Sequence, residues 1–164
     1  MTVKPANHNY RLRTTGTSLT GGKGMGYVRA EIELTSEEDI ALNRRGYLPD
    51  DEVKRVITRA LVDSGAYDLI LNQEIQDRLQ LPVLGKRPVK LADETVIEVD
   101  IVGPVRVRFE TRATTVRALV LPDTEEVLLG AIPLEGLDVI IDPLRERLLV
   151  SPPGSTNAKI RRVA

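Results

Sequence analysis

Short apolar stretches and alternating apolar and polar positions dominate the chain, and both patterns predict strands. Residues 26–34 and 105–109 alternate between apolar and polar side chains, which is typical of half-buried strands. Helical patterns are fewer and shorter. Several short strands with one or two short helices indicate a small, mainly β, closed barrel-like domain. Further strands are predicted at residues 53–62, 69–71, 89–92, 96–102, 116–121, 127–129, 138–142 and 147–150, and helices at 36–42, 72–79 and 131–137.

Composition narrows the chemistry that the chain can carry. Its 164 residues correspond to one domain, and with 3% aromatic residues the core must consist of Val, Ile and Leu. The absence of Cys excludes disulfides and thiolate ligands, and it favours a cytoplasmic location. The one His, at position 8, excludes a Ser-His-Asp hydrolase and a His-rich zinc site. Asp and Glu therefore remain as almost the only catalytic acids and bases, and no metal or other cofactor is expected.

Basic residues are concentrated at the two ends of the chain. Residues 1–24 carry four basic and no acidic side chains and lack periodicity, so they are predicted to form a disordered tail. Residues 25–151 form the predicted domain, and residues 152–164 form a second basic tail. The tails are short and contain one aromatic residue, Tyr10, so they lack the series of stacking aromatics typical of single-strand binding, which argues against nucleic acid as a partner. No apolar run approaches about 18 residues and no secretory signal is recognisable, so no membrane partner is expected.

One motif directly follows the apolar stretch that ends at Val62. Residues 61–66 read Leu-Val-Asp-Ser-Gly-Ala, so a strand delivers the carboxylate of Asp63 to the start of a tight loop, and Gly65 eases the turn. An apolar pair followed by Asp, Ser or Thr, Gly and Ala resembles the catalytic loop of aspartic proteases. In that loop two such carboxylates hold one water between them. An ordinary Asp-Ser-Gly turn after a buried strand is the alternative that the motif alone leaves open.

A second segment strengthens the resemblance. Residues 127–130 read Val-Leu-Leu-Gly, a strand that ends in glycine, and residues 131–137 read as a short helix with Pro133 in its first turn and Gly136 just past its end. Two terminal strands follow. This order is similar to the closing half of a retropepsin, as is the separation of Asp63 from Gly130. The resemblance covers residues 25–151 and identifies the chain as a bacterial-type, retropepsin-like (clan AA) aspartic protease.

A single motif per chain has a consequence for assembly. Peptide hydrolysis by this chemistry needs two carboxyls, one acting as base on the water and the other as acid toward the carbonyl oxygen. Asp142 is the nearest rival to a second catalytic acid, but Pro143 follows it instead of Ser or Thr and Gly. The second Asp63 must then come from another copy of the chain, so a symmetric homodimer is predicted.

The resemblance implies a role for each residue of the motif. Asp63 would share the proton and hold the water, and Ser64 would bond the partner loop. Gly65 would allow close approach of the backbone, and Ala66 would leave room for substrate. The candidate flap, which would close over substrate, is the tip of the hairpin predicted around residues 92–95, and an ordinary surface hairpin is the alternative that stays open. The residues implied to support the catalytic loop are Ser64, Gly65, Ala66, Leu129 and Gly130, and the candidate flap residues are Ala92, Asp93, Glu94 and Thr95.

The chain departs from viral retropepsins at two linked positions. Those proteases commonly have an acid directly after the Asp-Thr-Gly-Ala loop and an Arg directly after the apolar-apolar-Gly strand. The corresponding residues here are Tyr67 and Ala131, so both charges of that ion pair are absent together. The candidate flap also lacks the glycines of viral flaps.

Two functions from different classes are compatible with the sequence. The first is a homodimeric aspartic endopeptidase that cleaves extended peptide or protein segments and is more active on the acidic side of neutral. The alternative is a catalytically silent retropepsin-fold module that binds a protein partner. The intact Asp63 motif favours the enzyme, since binding alone does not require an acid at that position.

Overall fold

The computed structural model describes residues 27–154 and contains nine strands and three α-helices. The tail predicted at residues 1–24 and residues 155–164 of the second tail lie outside that range. The helices are α1 (Glu37–Arg44), α2 (Gln73–Leu79) and α3 (Ala131–Leu137). The strands are β1 (Arg29–Ser36), β2 (Arg55–Val62), β3 (Leu69–Leu71), β4 (Val83–Lys90), β5 (Val96–Phe109), β6 (Arg112–Val120), β7 (Val127–Leu129), β8 (Val139–Asp142) and β9 (Arg147–Val150).

Six of the strands close into a barrel. The hydrogen-bonded order is β1-β2-β7-β3-β6-β5, and β5 pairs back onto β1 to complete the ring. The β2–β7 and β3–β6 pairs are parallel, and the other pairs are antiparallel. Strand β4 pairs with β5 as a hairpin that projects from the ring, and β8 and β9 form a separate two-stranded sheet. The predicted fold class, a small closed β barrel with short helices, is confirmed.

Alternate residues of the strands fill two different apolar regions. Inward-facing side chains, among them Leu69, Leu71 and Leu129, form the core inside the barrel. The residues between them point outward, where the β4–β5 hairpin covers them. This second region, here called the hairpin cluster, consists of Ile70, Val89, Val99, Leu119, Leu121 and Leu128.

Most predicted elements agree with the structure, and the largest differences lie in β4 and β5. Strand β4 was predicted at residues 89–92 but runs from Val83 to Lys90, because its pairing with β5 extends along the hairpin. Strands β3 and β7 and helix α3 have the predicted bounds. Residues 96–102 and 105–109, predicted as two strands, form one strand that continues through the cis Gly103–Pro104 bond. The register with β6 shifts between Val102 and Val105, because Gly103 and Pro104 lie opposite Arg117 alone. The one extra residue of β5 is accommodated by a bulge, and pairing resumes beyond it.

The helix ends follow local chemistry, with one exception to the prediction. The side chains of Ser36 and Asn72 cap α1 and α2 by accepting bonds from the amides of Asp39 and Ile75. Gly136 is a residue type that suits the position just past a helix end, but it lies inside α3, where it packs directly against Thr114. The left-handed C-cap residue is instead Asp138, with φ 53°. Within residues 27–154, no helix has the length and apolar character needed to cross a bilayer.

The long connection between β1 and β2 is an ordered part of the domain. Its helix α1 is held to β5 by a two-pronged ion pair between Glu37 and Arg106, with N–O distances of 2.7 and 3.0 Å. Asp39 accepts hydrogen bonds from the backbone amide and the ammonium group of Lys54. A polar depression of about 350 Å³ lies between this connection and the outer face of the barrel. The connection therefore decorates the barrel wall formed by β1, β2, β5 and β6.

Candidate active site

Asp63 lies where the paired strands β2 and β7 end. Val62 is in register with Leu129, and the amide of Asp63 donates a 3.1 Å hydrogen bond to the Leu129 carbonyl. The parallel pairing thus extends one residue beyond β2. This bond fixes the backbone of Asp63 to the strand that precedes Gly130.

The loop after Asp63 folds back onto the Asp63 carboxylate. The Oδ1 atom of Asp63 accepts a 2.9 Å hydrogen bond from the amide of Gly65. The backbone carbonyl of Asp63 accepts a 3.1 Å hydrogen bond from the amide of Ala66. Gly65 does not have a positive φ, so the reason for glycine differs from the predicted turn strain. A Cβ on Gly65 would lie 3.2 Å from Asp63 Oδ1, so the absence of a side chain lets the carboxylate approach. Ser64 and Gly65 are exposed, whereas Ala66 is buried.

Helix α3 begins directly behind this loop and clamps it. The amides of Ala131 and Ile132 donate 2.8 Å bonds to the carbonyls of Ala66 and Tyr67. These are amides of the first helical turn, which have no partner within a helix. A Cβ on Gly130 would overlap the carbonyl oxygen of Asp68 and would lie 2.8 Å from the Tyr67 carbonyl carbon. Leu129 and Gly130 are therefore brought together with the Asp63 loop, and glycine is required there by close contact.

The four residues predicted as a flap form the tip of the β4–β5 hairpin. The tip closes through a 2.8 Å bond from the Leu91 amide to the Thr95 carbonyl and a 2.9 Å bond from the Thr95 amide to the Asp93 carboxylate. Hydrogen bonds to the Asp93 carboxylate, first from the Thr95 side chain and then from the Thr95 amide, hold the pKa of Asp93 below its ordinary value. Ala92 and Glu94 complete the turn, and Glu94 takes a φ of 69°. The tip is exposed throughout.

The hairpin cluster connects this hairpin with the strands that carry the catalytic loop. Val89 and Val99 of the hairpin pack in one cluster with Ile70 of β3 and Leu128 of β7. Leu61, two residues before Asp63, packs against the same cluster while staying partly exposed. Leu91 and Ile97, which flank the tip, do the same. Aliphatic side chains thus pack the hairpin against the strands that lead into and out of the catalytic loop.

An ion pair between the segment after the loop and the hairpin was not predicted from the sequence. A guanidinium nitrogen of Arg87 on β4 lies 3.0 Å from a carboxylate oxygen of Asp68, the residue before β3. The signal was present in the alternation of β4. Arg87 shares the parity of Val89 and Leu91, so a cation occupies an inward position of an otherwise aliphatic face.

Asp142, the rival acid, lies at the end of β8 and is held by its own turn. Partial burial raises its pKa, but the hydrogen bonds and charge of Arg145 and the charge of Arg147 outweigh burial and leave the pKa below its ordinary value. The Arg145 guanidinium lies 3.1 Å from the carboxylate. Asp142 is therefore a charged turn residue. Among residues 27–154, no three His, Cys, Asp or Glu side chains are grouped so that they could hold a metal ion.

Comparison with known proteins agrees with this geometry. Residues 52–135, slightly more than half of the chain, match the family described as gag-polyprotein putative aspartyl protease. The chain belongs to this family. The match to the aspartyl protease family spans the Asp63 loop, the whole β4–β5 hairpin, β7 and the first turn of α3. A search of curated proteins gave no match.

Proposed function

We propose that the chain is an aspartic endopeptidase that works as a homodimer, with Asp63 of each of two chains holding the lytic water. The observation that carries this proposal is the fixed position of Asp63. Its carboxylate is partly exposed at the tip of a loop that β7 and α3 hold from behind. Membership of the aspartyl protease family supports the reaction class. The bacterial type and the cytoplasmic location stay predictions.

The second acid of the pair is supplied by the other chain. Two other carboxylates within residues 27–154 form ion pairs instead: Asp68 with Arg87, and Asp142 with Arg145. In a two-fold dimer only residues at the axis meet their own copies, so the axis must pass close to Asp63. The exposed residues of the same face, Ser64, Tyr67 and Ile132, then lie at the contact between the chains.

The reaction follows from this pairing. One carboxylate of the two Asp63 residues is protonated and the other is charged, because like charges so close together do not both ionise. The charged carboxylate takes a proton from the water, whose oxygen bonds to the peptide carbonyl carbon while the protonated carboxyl gives its proton to the carbonyl oxygen. In the collapse of the resulting diol, the carboxyl that took the water proton gives it to the amine nitrogen, the C–N bond breaks, and the other carboxylate takes a proton from a diol hydroxyl. The pair is then again singly protonated.

The substrate class follows from the lining of the site. Leu61, Leu91 and Ile97 leave aliphatic surface partly exposed at the edge of the hairpin cluster, whereas Ile70 and Leu128 are buried within it. An extended peptide with aliphatic side chains on both sides of the scissile bond is complementary to this exposed edge, because binding removes apolar surface from water. We propose peptide or protein segments of that kind as substrate.

The test compares the cleavage rates of wild type and Asp63→Asn on a mixed quenched-peptide library from pH 3 to 9. The variant should lose about 10²- to 10⁴-fold in cleavage, because the amide removes the acid–base group and keeps its size. Asp142→Asn is the matched control and should cleave like wild type. Sedimentation must show the dimer in all three proteins, and pepstatin should inhibit cleavage.

Three results would contradict the proposal. Equal residual cleavage by wild type and Asp63→Asn would assign the signal to a contaminant. A pH–rate profile that is flat from pH 4 to 9 would contradict a shared-proton carboxyl pair. Intact dimers that cleave nothing would favour the silent binding module.

A further inference from the structure

We propose that Asp68 and Arg87 are a positioning pair that holds the β4–β5 hairpin over the catalytic loop. The inference deepens the protease function proposed above and rests on it. A guanidinium nitrogen of Arg87 lies 3.0 Å from a carboxylate oxygen of Asp68, and the two side chains retain 31% and 15% of their exposure. The pair is therefore partly shielded from water, where an ion pair is stronger than on the surface.

The Asp68 end of the pair is rigid. The Asp68 carbonyl oxygen lies so close to Gly130 that a Cβ at position 130 would overlap it. The next residue, Leu69, is fully buried and begins β3, which pairs with both β6 and β7. Asp68 thus moves only with the barrel and with the loop that carries Asp63.

The Arg87 end belongs to an element with fewer neighbours. Strand β4 pairs with β5 and with no other strand among residues 27–154. Arg87 points to the inner face of the hairpin together with Val89, and its cross-strand partner is Val99. The aliphatic contacts of this face are non-directional, so they hold the hairpin down without fixing its angle. A charge-assisted hydrogen bond is directional and supplies that angle.

The position of the pair also accounts for the departure from viral retropepsins. In viral retropepsins an acid after the loop pairs with an Arg after the strand that corresponds to β7. Such a pair would join the loop to α3, and here these two parts are already fixed to each other by backbone hydrogen bonds. With Tyr67 and Ala131 at those positions, the acid next to the loop is Asp68 and its cation comes from the hairpin. The ion pair therefore connects the fixed part of the site with its cover.

The first test measures amide hydrogen exchange of the hairpin without substrate. Arg87→Gln and Asp68→Asn should each raise the exchange of residues 89–97 about tenfold, while amides of β6 stay unchanged. The matched control is Lys86→Gln, on the same strand but on its outer face, where the pair with Asp100 is 4.0 Å long. Unchanged hairpin exchange in both variants, or an equal rise in Lys86→Gln, would overturn the proposal.

The second test separates positioning from general stability. Arg87→Gln should lower kcat/KM about tenfold, chiefly through KM, and the reversed pair Asp68→Arg with Arg87→Asp should recover most of the loss and the hairpin protection. Additive losses in the double variant would overturn the positioning role. Because hydrogen exchange is measured without substrate, the two proposals can fail separately. Unchanged hairpin exchange would contradict the positioning pair even if Asp63→Asn abolishes cleavage, and increased hairpin exchange would support the pair even if the chain cleaves nothing.

Discussion

The catalytic loop and the hairpin tip are both tight turns that carry an acid, but their surroundings differ. In the loop, Asp63 and the carbonyls of Ala66 and Tyr67 are bonded to β7 and α3, elements distant in sequence. In the tip, Asp93 is hydrogen-bonded to Thr95, and Glu94 is hydrogen-bonded to Leu91 and Lys90. Each of these partners is at most four residues away in sequence. One turn is held by the fold, and the other chiefly by itself.

This difference matches the two tasks that the proposed reaction requires. An acid that must share a proton across a two-fold axis needs a fixed position, since small displacements are costly in catalysis. A cover that admits an extended peptide must open, and local openings occur where few non-local contacts hold the backbone. The ion pair between Asp68 and Arg87 joins the segment after the catalytic loop to the hairpin that carries the tip.

Alanine at two glycines gives the largest expected contrast. Gly130→Ala should destabilise the fold by at least about 3 kcal/mol, because the new Cβ overlaps the backbone of Tyr67 and Asp68. Its φ of −84° suits any residue, so contact alone is responsible. Gly85→Ala, in the hairpin with no atom within 4 Å of the Cβ, should change stability by less than about 0.5 kcal/mol.

Urea unfolding of both variants, read as the midpoint and slope against wild type, measures this contrast. Comparable losses at Gly85 and Gly130 would mean that the hairpin is packed as tightly as the loop. The distinction between a fixed site and a movable cover would then be wrong.

The parts of the fold that sequence predicts well are those fixed by local pattern. The run of apolar residues in β3 and in β7, and Pro133 in the first turn of α3, gave the observed bounds. The continuation of β5 through Gly103 and Pro104 was missed, because a local pattern stops at such a pair. It is the pairing with β6 on both sides, a contact between distant residues, that continues the strand.

The candidate site divides in the same way. The motif around Asp63 is contiguous and could be recognised, and Gly130 could be linked to it through the order of elements. The pair of Asp68 and Arg87 could not, because a cation at an inward strand position does not by itself indicate its partner. The reason for Gly65 was also misjudged, since close contact with a carboxylate has no signature in the sequence.

A substitution on the face that carries Asp63 tests the proposed dimer. Tyr67, 52% exposed, lies beside Ile132, 49% exposed, because the Ile132 amide bonds to the Tyr67 carbonyl. Tyr67→Lys should raise the dimer dissociation constant about 10- to 100-fold, since two-fold symmetry places the new charge at the contact twice. Sedimentation equilibrium over a range of protein concentrations measures the constant.

Tyr47→Lys is the matched control for the dimer surface. Tyr47 is 77% exposed and lies in the connection between β1 and β2, on a different segment of the surface. It should leave the dissociation constant unchanged. Equal effects of the two substitutions would mean that Tyr67 is not at the contact between the chains.

The smallest expected effect concerns the self-contained turn of the hairpin tip. Asp93→Ala removes the acceptor of the Thr95 amide and should raise exchange of that amide about threefold, without changing exchange at Gly65 in the catalytic loop. Asp93→Asn keeps the acceptor oxygen but loses the charge, so at neutral pH it should fall between wild type and Asp93→Ala.

The pH dependence of the same turn distinguishes charge from shape. Because the pKa of Asp93 is lowered in the folded chain, its charged form is the one that the turn stabilises. That stabilisation is complete above the ordinary Asp pKa and disappears as the pH falls through the lowered value. Exchange rates, each divided by the intrinsic rate at that pH, should therefore converge for wild type and Asp93→Asn in acid. A gap that persists at pH values below the lowered pKa would mean that the carboxylate charge does not hold the turn, and that the tip is fixed by contacts beyond itself, as the catalytic loop is.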